Sequence, residues 1–126
     1  MIVYYYDHII SIMVEVNYSF TEIGFSMMNT NLSASKKIVN RKFSSWFGVL
    51  PTICSNLWSV VLRHRWVKRN VCRPNPEHLL WTLHFLFCYG SEENNSARCG
   101  TNERTFRKWV WFYSEVIADC DKKFVS

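Results

Sequence analysis

Two groups of residues are equipped for chemistry: thiols with imidazoles, and cations mixed with tryptophan. Cys54, Cys72, Cys88, Cys99 and Cys120 accompany His8, His64, His78 and His84. A structural Zn²⁺ takes four such ligands in a tetrahedron. His84 and Cys88 stand four apart, on one face of any helix, and Cys72 or Cys99 could in principle join them. The paired short spacing of a zinc module is missing, because no CxxC occurs. The thiols therefore read as small buried groups, and neither a metal nor a cofactor is expected. Cys54 falls near a helix start, but it also faces inward, which favours an inert thiol. No acid of obvious role stands near any histidine. Asp119 and Asp121 are close, but two-metal chemistry needs carboxylates converging from a rigid scaffold, so both read as surface groups. No glycine-rich phosphate loop, GxSxG or HExxH occurs. Enzymatic activity is not expected.

The cations are more telling. Asn102, Arg104, Arg107, Lys108 and Trp111 crowd into ten residues. Arginine grips guanine with two hydrogen bonds, lysine neutralises phosphate, and a helix fits the major groove of double-stranded DNA. A second cluster, Arg63, Arg65, Lys68 and Arg69, is suited to holding phosphates. A third, Lys36, Lys37, Arg41 and Lys42, could serve as a basic arm or a nuclear import signal. The net charge of +5 conceals a segregation. Residues 36–73 carry nine bases and no acid, whereas residues 1–35 carry Asp7, Glu15 and Glu22 and no base. So concentrated a charge repels itself unless it is solvated or meets a polyanion.

Helices must position these groups. Pro51 opens a helix reaching about residue 65, with Ile53, Leu57, Val60 and Val61 on its apolar face. Its end holds Arg63 and Arg65, where cations also suit the helix dipole. Asn75-Pro76-Glu77 opens a second helix and Gly90 closes it. Leu79, Leu80, Leu83, Leu86 and Phe87 form one side and Trp81, Phe85 and Cys88 the other, so this helix should be central. His78 and His84 fall on the polar strips between, suited to capping or packing. Ser91-Glu92-Glu93 caps a short third helix ending near Arg98, and Cys99 to Asn102 forms a turn. The fourth helix runs from about Glu103 to Ala118 or beyond. At 100° per residue, Phe106, Trp109, Val110, Tyr113, Val116, Ile117 and Cys120 share one sector. Glu103, Arg104, Arg107, Lys108, Trp111, Ser114 and Glu115 share the opposite one. Trp111 thus stands on the wet face, held either by its cationic neighbours or by a partner.

A short helix, a glycine turn and a longer helix with a basic start describe a helix-turn-helix. Cys99, Phe106 and Trp109 fall where that motif buries apolar groups, and Ser96 is suitably small. Asn95 is a mismatch, because an apolar residue is usual there. The segment 29–45, rich in Asn, Ser and Lys, reads as a linker. Residues 1–28 show little periodicity; Ile2 to Tyr6 favours a strand, and Ile9 to Val16 suits either state.

Several stretches in order carry a family resemblance: Phe47-Gly48-Val49, Pro51 through Cys54 to Trp58, Pro76-Glu77-His78-Leu79-Leu80-Trp81, Tyr89, Ser91-Glu92, and Thr105-Phe106-Arg107-Lys108-Trp109-Val110-Trp111. Over residues 46–120 the chain resembles the pre-catalytic N-terminal region of eukaryotic Harbinger-like transposases of the DDE superfamily. The resemblance implies a helix-turn-helix that helps bind transposon DNA, followed in the family by an RNase H-like nuclease domain using three carboxylates and Mg²⁺. Only six residues follow Cys120, so no counterpart of that nuclease is expected here.

The expected fold is mainly α: a small four-helix bundle over 46–124 containing a helix-turn-helix, with an irregular N-terminal extension and basic linker over 1–45. An apolar fraction of 48% supports a core, and no stretch of 18 apolar residues lacks a charge, which disfavours a membrane span. No early base marks a secretory signal, and an odd cysteine count fits reduced thiols, so an intracellular, nuclear location is expected. The expected function is DNA binding without a nuclease of its own, through Asn102, Arg104, Arg107, Lys108 and Trp111 with Arg63, Arg65, Lys68 and Arg69. It requires Arg104, Arg107 and Lys108 to be exposed and not neutralised by acids. The alternative is a truncated transposase remnant that self-associates through exposed aromatics (Trp81, Trp111 and Phe112) or has no role.

Overall fold

The protein is described by a computed structural model covering residues 20–29, 35–70, 72–88 and 90–125, with 121–125 as helix only. Every regular element among these residues is a helix. They are α1 (described over 20–27), α2 (Lys36–Phe47), α3 (Pro51–Leu62), α4 (Arg65–Arg69), α5 (Pro76–Cys88), α6 (Glu92–Arg98) and α7 (Glu103–Val125). The mainly helical reading holds, but the helices outnumber the four expected. The strand expected at Ile2 to Tyr6 and the ambiguous run Ile9 to Val16 lie outside the described residues.

The largest departure is α2, which occupies residues expected to be linker. Phe43 and Phe47, four apart and facing inward, are buried at 0% and 1% exposure. Lys36, Lys37, Arg41, Lys42 and Ser45 cover its outer side. The polar composition belongs to one face of an amphipathic helix, and two phenylalanines suffice to anchor the other. Gly48 ends α2 in the left-handed region (φ 77°), and its N–H donates to Ser44 O at 2.8 Å. Helix α1 is likewise part of the core. Phe20 and Phe25 are buried, and Gly24 lies against the rings of Phe43 and Phe47 so closely that a Cβ there would fall 2.6 Å from Phe43. The packed body therefore begins well before residue 46.

Helix α3 is rotated from its expected setting. Its buried residues are Pro51, Cys54, Trp58 and Val61, while Ile53 is 47% exposed. The Trp58 ring meets Phe20 of α1 edge-on and Tyr113 of α7, and so large a group dictates which side turns inward. The basic run after α3 does not simply end it. His64 takes an extended conformation (φ −70°, ψ 136°), and a separate short helix α4 starts behind it.

Helix α5 is central, as expected, and packs against α2, α6 and α7. Leu79 to His84 are all buried, but Leu86 and Phe87 are 45% and 50% exposed, so its last turn stands clear of the core. Asn75 Oδ1 accepts the Glu77 N–H at 3.0 Å, the expected cap. His84 does not lie on a polar strip. It is buried at 1%, stacks on Trp46 and donates from Nδ1 to Trp46 O at 2.8 Å, tying α5 to the end of α2. No single described helix is long and apolar enough to cross a membrane.

Candidate nucleic-acid interface

Helices α6 and α7 follow one another across a short turn, at the positions expected from the sequence. Ser91 Oγ accepts the Asn94 N–H at 3.0 Å and opens α6. Gly100 (φ 73°) makes the turn, and the Thr101 N–H donates to Ser96 O at 3.0 Å. Asn102 Oδ1 accepts the Thr105 N–H at 2.8 Å and opens α7. Asn102 is thus a cap, with its carboxamide oxygen committed to the helix. Of the three apolar residues expected inside, Cys99 and Phe106 are buried and Trp109 is half-buried, and Asn95 is buried too, donating from Nδ2 to Ser91 O at 2.9 Å. A polar residue is accommodated there because a backbone carbonyl meets it.

The division of α7 into two faces is close to that expected. Phe106, Val110, Tyr113, Val116 and Cys120 are buried, whereas Glu103, Arg104, Arg107, Lys108, Trp111 and Glu115 are exposed. The three cations nevertheless differ. Arg107 is held by two acids: Nε donates to Glu92 Oε2 of α6, and Nη2 donates to Glu103 Oε1 at 2.8 Å. It fastens α6 to α7, and the expectation that it is free for DNA is corrected. Arg104 and Lys108 form no ion pair among the described residues.

Lys108 Nζ lies 4.8 Å from the centre of the Trp109 ring, which stacks on His78 of α5 at 4.6 Å and 14°. Burial, reinforced by the charge of Lys108, pushes the His78 pKa down to about 4. Trp111 is 52% exposed, and no cation lies over its ring among the described residues. Its own helix neighbours therefore do not account for it. The free strip of α7 consists of Arg104, Lys108 and Trp111, with Glu115 one turn beyond.

The second cluster is carried by α4. Val67 is buried at 3% and turns the helix so that Arg65, Lys68 and Arg69 face out. Arg65 leans over Trp66 at 5.9 Å, and Arg63 donates from Nε to Ser59 O at 3.1 Å. What anchors α4 lies far from it along the chain. His64 is buried and bonded to Asp119, the residue expected to be a surface group, with Nε2 to Oδ2 at 2.6 Å. The acid partner missing from the sequence neighbourhood of the histidine is supplied from 55 residues away.

The thiols and imidazoles do not assemble into a site. Cys88 Sγ lies 3.4 Å from His84 Nδ1, but among the described residues no three metal-ligating side chains converge. Cys54 and Cys99 are buried, and burial pushes both thiols up to about 12, so they stay protonated. Cys72 is exposed. A concavity of about 330 Å³ opens behind the turn, lined by Ile23, Ser26, Met27, Glu77, Arg98, Cys99 and Gly100. It sets one carboxylate and one guanidinium beside an inert thiol. Comparison with known proteins finds no matching family model, no matching curated protein and no matching solved structure.

Proposed function

We propose that this chain is a helix-turn-helix module that binds double-stranded DNA, derived from the pre-catalytic region of a Harbinger-like transposase. The observation that carries the reading is the exposed strip of α7, where Trp111 stands beside Arg104 and Lys108, which have no acid partner among the described residues, at the start of the longer helix of the motif. Arg63, Arg65, Lys68 and Arg69, all exposed, supply backbone contacts. Lys36, Lys37, Arg41 and Lys42 on the outer face of α2 supply either further phosphate contacts or a nuclear import signal. The transposase origin is supported by the order of residues from Phe47 to Trp111. The requirement that all three cations be clear of acids is met by Arg104 and Lys108 among the described residues and fails at Arg107, which is left out of the contact set; Asn102 keeps only its amide N–H₂ for DNA.

The test is titration of a fluorescent duplex at several salt concentrations. With about four to six phosphate contacts, log K falls against log salt with a slope of roughly −4 to −5. Absence of binding at low salt rejects the reading.

A second reading is favoured by a different surface. Leu50, Ile53, Leu86 and Phe87 are exposed, and Phe87 lies against Gly48 beside the α2–α3 corner. These residues, with Trp111, would drive self-association in a remnant without a DNA role. Of the aromatics expected to be exposed for this purpose, Trp81 is buried at 6% and Phe112 is half-buried against Trp109 and Tyr113. Size-exclusion chromatography separates the two: oligomers without DNA affinity favour the remnant, and a DNA-binding monomer favours the module.

A further inference from the structure

His64 has both ring nitrogens engaged. Nδ1 accepts the Trp66 backbone N–H at 3.1 Å, so the ring proton sits on Nε2, which donates to Asp119 Oδ2 at 2.6 Å. One imidazole therefore closes the first turn of α4 and fastens that turn to α7. A five-residue helix has no stability of its own, so its place is set by what holds it, here His64 and the buried Val67.

The point of attachment on α7 is informative. Asp119 follows Lys108 by eleven residues, close to three full turns, so the two lie on one face about 16 Å apart. Arg104 is about 22 Å from Asp119 along the same axis. His64, at the head of α4, is thus bonded to the side of α7 that bears Arg104 and Lys108. Glu115, exposed, lies on this face between them.

From this juxtaposition we infer that the His64–Asp119 bond is a positioning latch, which sets Arg65, Lys68 and Arg69 in register with Arg104 and Lys108 as one surface for the phosphates of a single duplex. The inference rests on the DNA-binding reading and extends it: α4 is a fixed part of the interface and not an independent basic tail. At 3.4 Å per base pair, a surface of this length spans about six pairs.

The experiment measures the salt slope of the full chain on a hairpin duplex with a 12-pair stem. Lys68→Ala with Arg69→Ala flattens the slope by about two units, and Arg104→Ala with Lys108→Ala does the same. In an Asp119→Ala background the α7 pair keeps its two-unit effect, while that of the α4 pair shrinks to less than half. The comparison of slopes is insulated from the general gain in affinity on removing an acid, and circular dichroism confirms that the bundle is retained. An α4 effect that is absent in the wild type, or undiminished by Asp119→Ala, overturns the latch and leaves DNA binding standing. Failure of the wild type to bind at low salt overturns the DNA reading itself. Should Asp119→Ala not fold, stem length decides. A four-pair stem, about 14 Å long, is too short to reach both clusters, so the α4 pair should weaken binding to the 12-pair stem only. Equal weakening on both stems overturns the shared surface.

Discussion

The two ends of α7 use charge in opposite ways. At its start, bases and acids are interleaved: Glu92 and Glu103 take Arg107, and the pairing joins α6 to α7. At the far end, α4 brings cations from a stretch with no acid at all, and Asp119, the acid that reaches its head, is bonded to a histidine. The first arrangement answers its own charge within the fold. The second leaves charge unanswered, at a cost in self-repulsion that an external polyanion would relieve. Counting cations does not separate these roles; locating the acids does.

Breaking the far end directly gives the largest effect. His64→Ala removes the cap of α4 and leaves Asp119 without its 2.6 Å donor. A loss of about 2–3 kcal/mol is expected, read as a lower melting temperature with faster amide exchange in α4 than elsewhere.

Acid probes the seam behind the α7 cations. The unfolded chain protonates His78 near the ordinary 6.5, whereas the fold resists down to about 4. The unfolded state therefore binds more protons in that window, and stability falls as pH drops from 6.5 towards 4. His84, also held below its ordinary value by burial, acts in the same direction. Because His78 is only half-buried, its share is on the order of 1–2 kcal/mol after screening. Urea midpoints across pH measure the loss, and His78→Phe should flatten the profile. Lys108→Ala should raise the His78 pKa, followed by NMR, since one of the two depressing causes is removed.

Within the start of α7, the comparison is sharpened by treating its cations separately. Arg104→Ala and Lys108→Ala should each flatten the salt slope of DNA binding by about one unit. Arg107→Ala should leave the slope nearly unchanged and instead lower thermal stability slightly, because its partners lie within the protein. If all three behave alike, the distinction between answered and unanswered charge is wrong. The smallest effect is expected from Glu115→Gln, which removes the acid on the free face and should tighten DNA binding by a few-fold.

Much of this was legible in the sequence where local patterns dominate. The wheel of α7, the Asn75 and Ser91 caps and the turn at Gly100 depend on residues within one or two turns of each other. The Glu103–Arg107 pair has the helical spacing of four, but a spacing alone does not tell a paired arginine from a free one, and Arg107 is expected to be free. Helix α2 was obscured because lysines, asparagines and serines outnumber Phe43 and Phe47, although those two decide the matter. The Glu92 contact to Arg107 and the Asp119 contact to His64 join residues 15 and 55 apart, and no spacing rule reaches them. The rotation of α3 was missed for a related reason. Its setting follows from Trp58 meeting Phe20 and Tyr113, and neither partner is near it in sequence.

The corner at Gly48 is doubly exacting. Its backbone takes φ 77°, which a side chain resists, and the Phe87 ring stands 2.6 Å from where a Cβ would project. Even alanine would have to pry that aromatic plate off the bend joining α2 to α3, and α5 would feel the shove at the turn where it is least supported. A hinge pin of no size at all keeps three rods meeting at one angle.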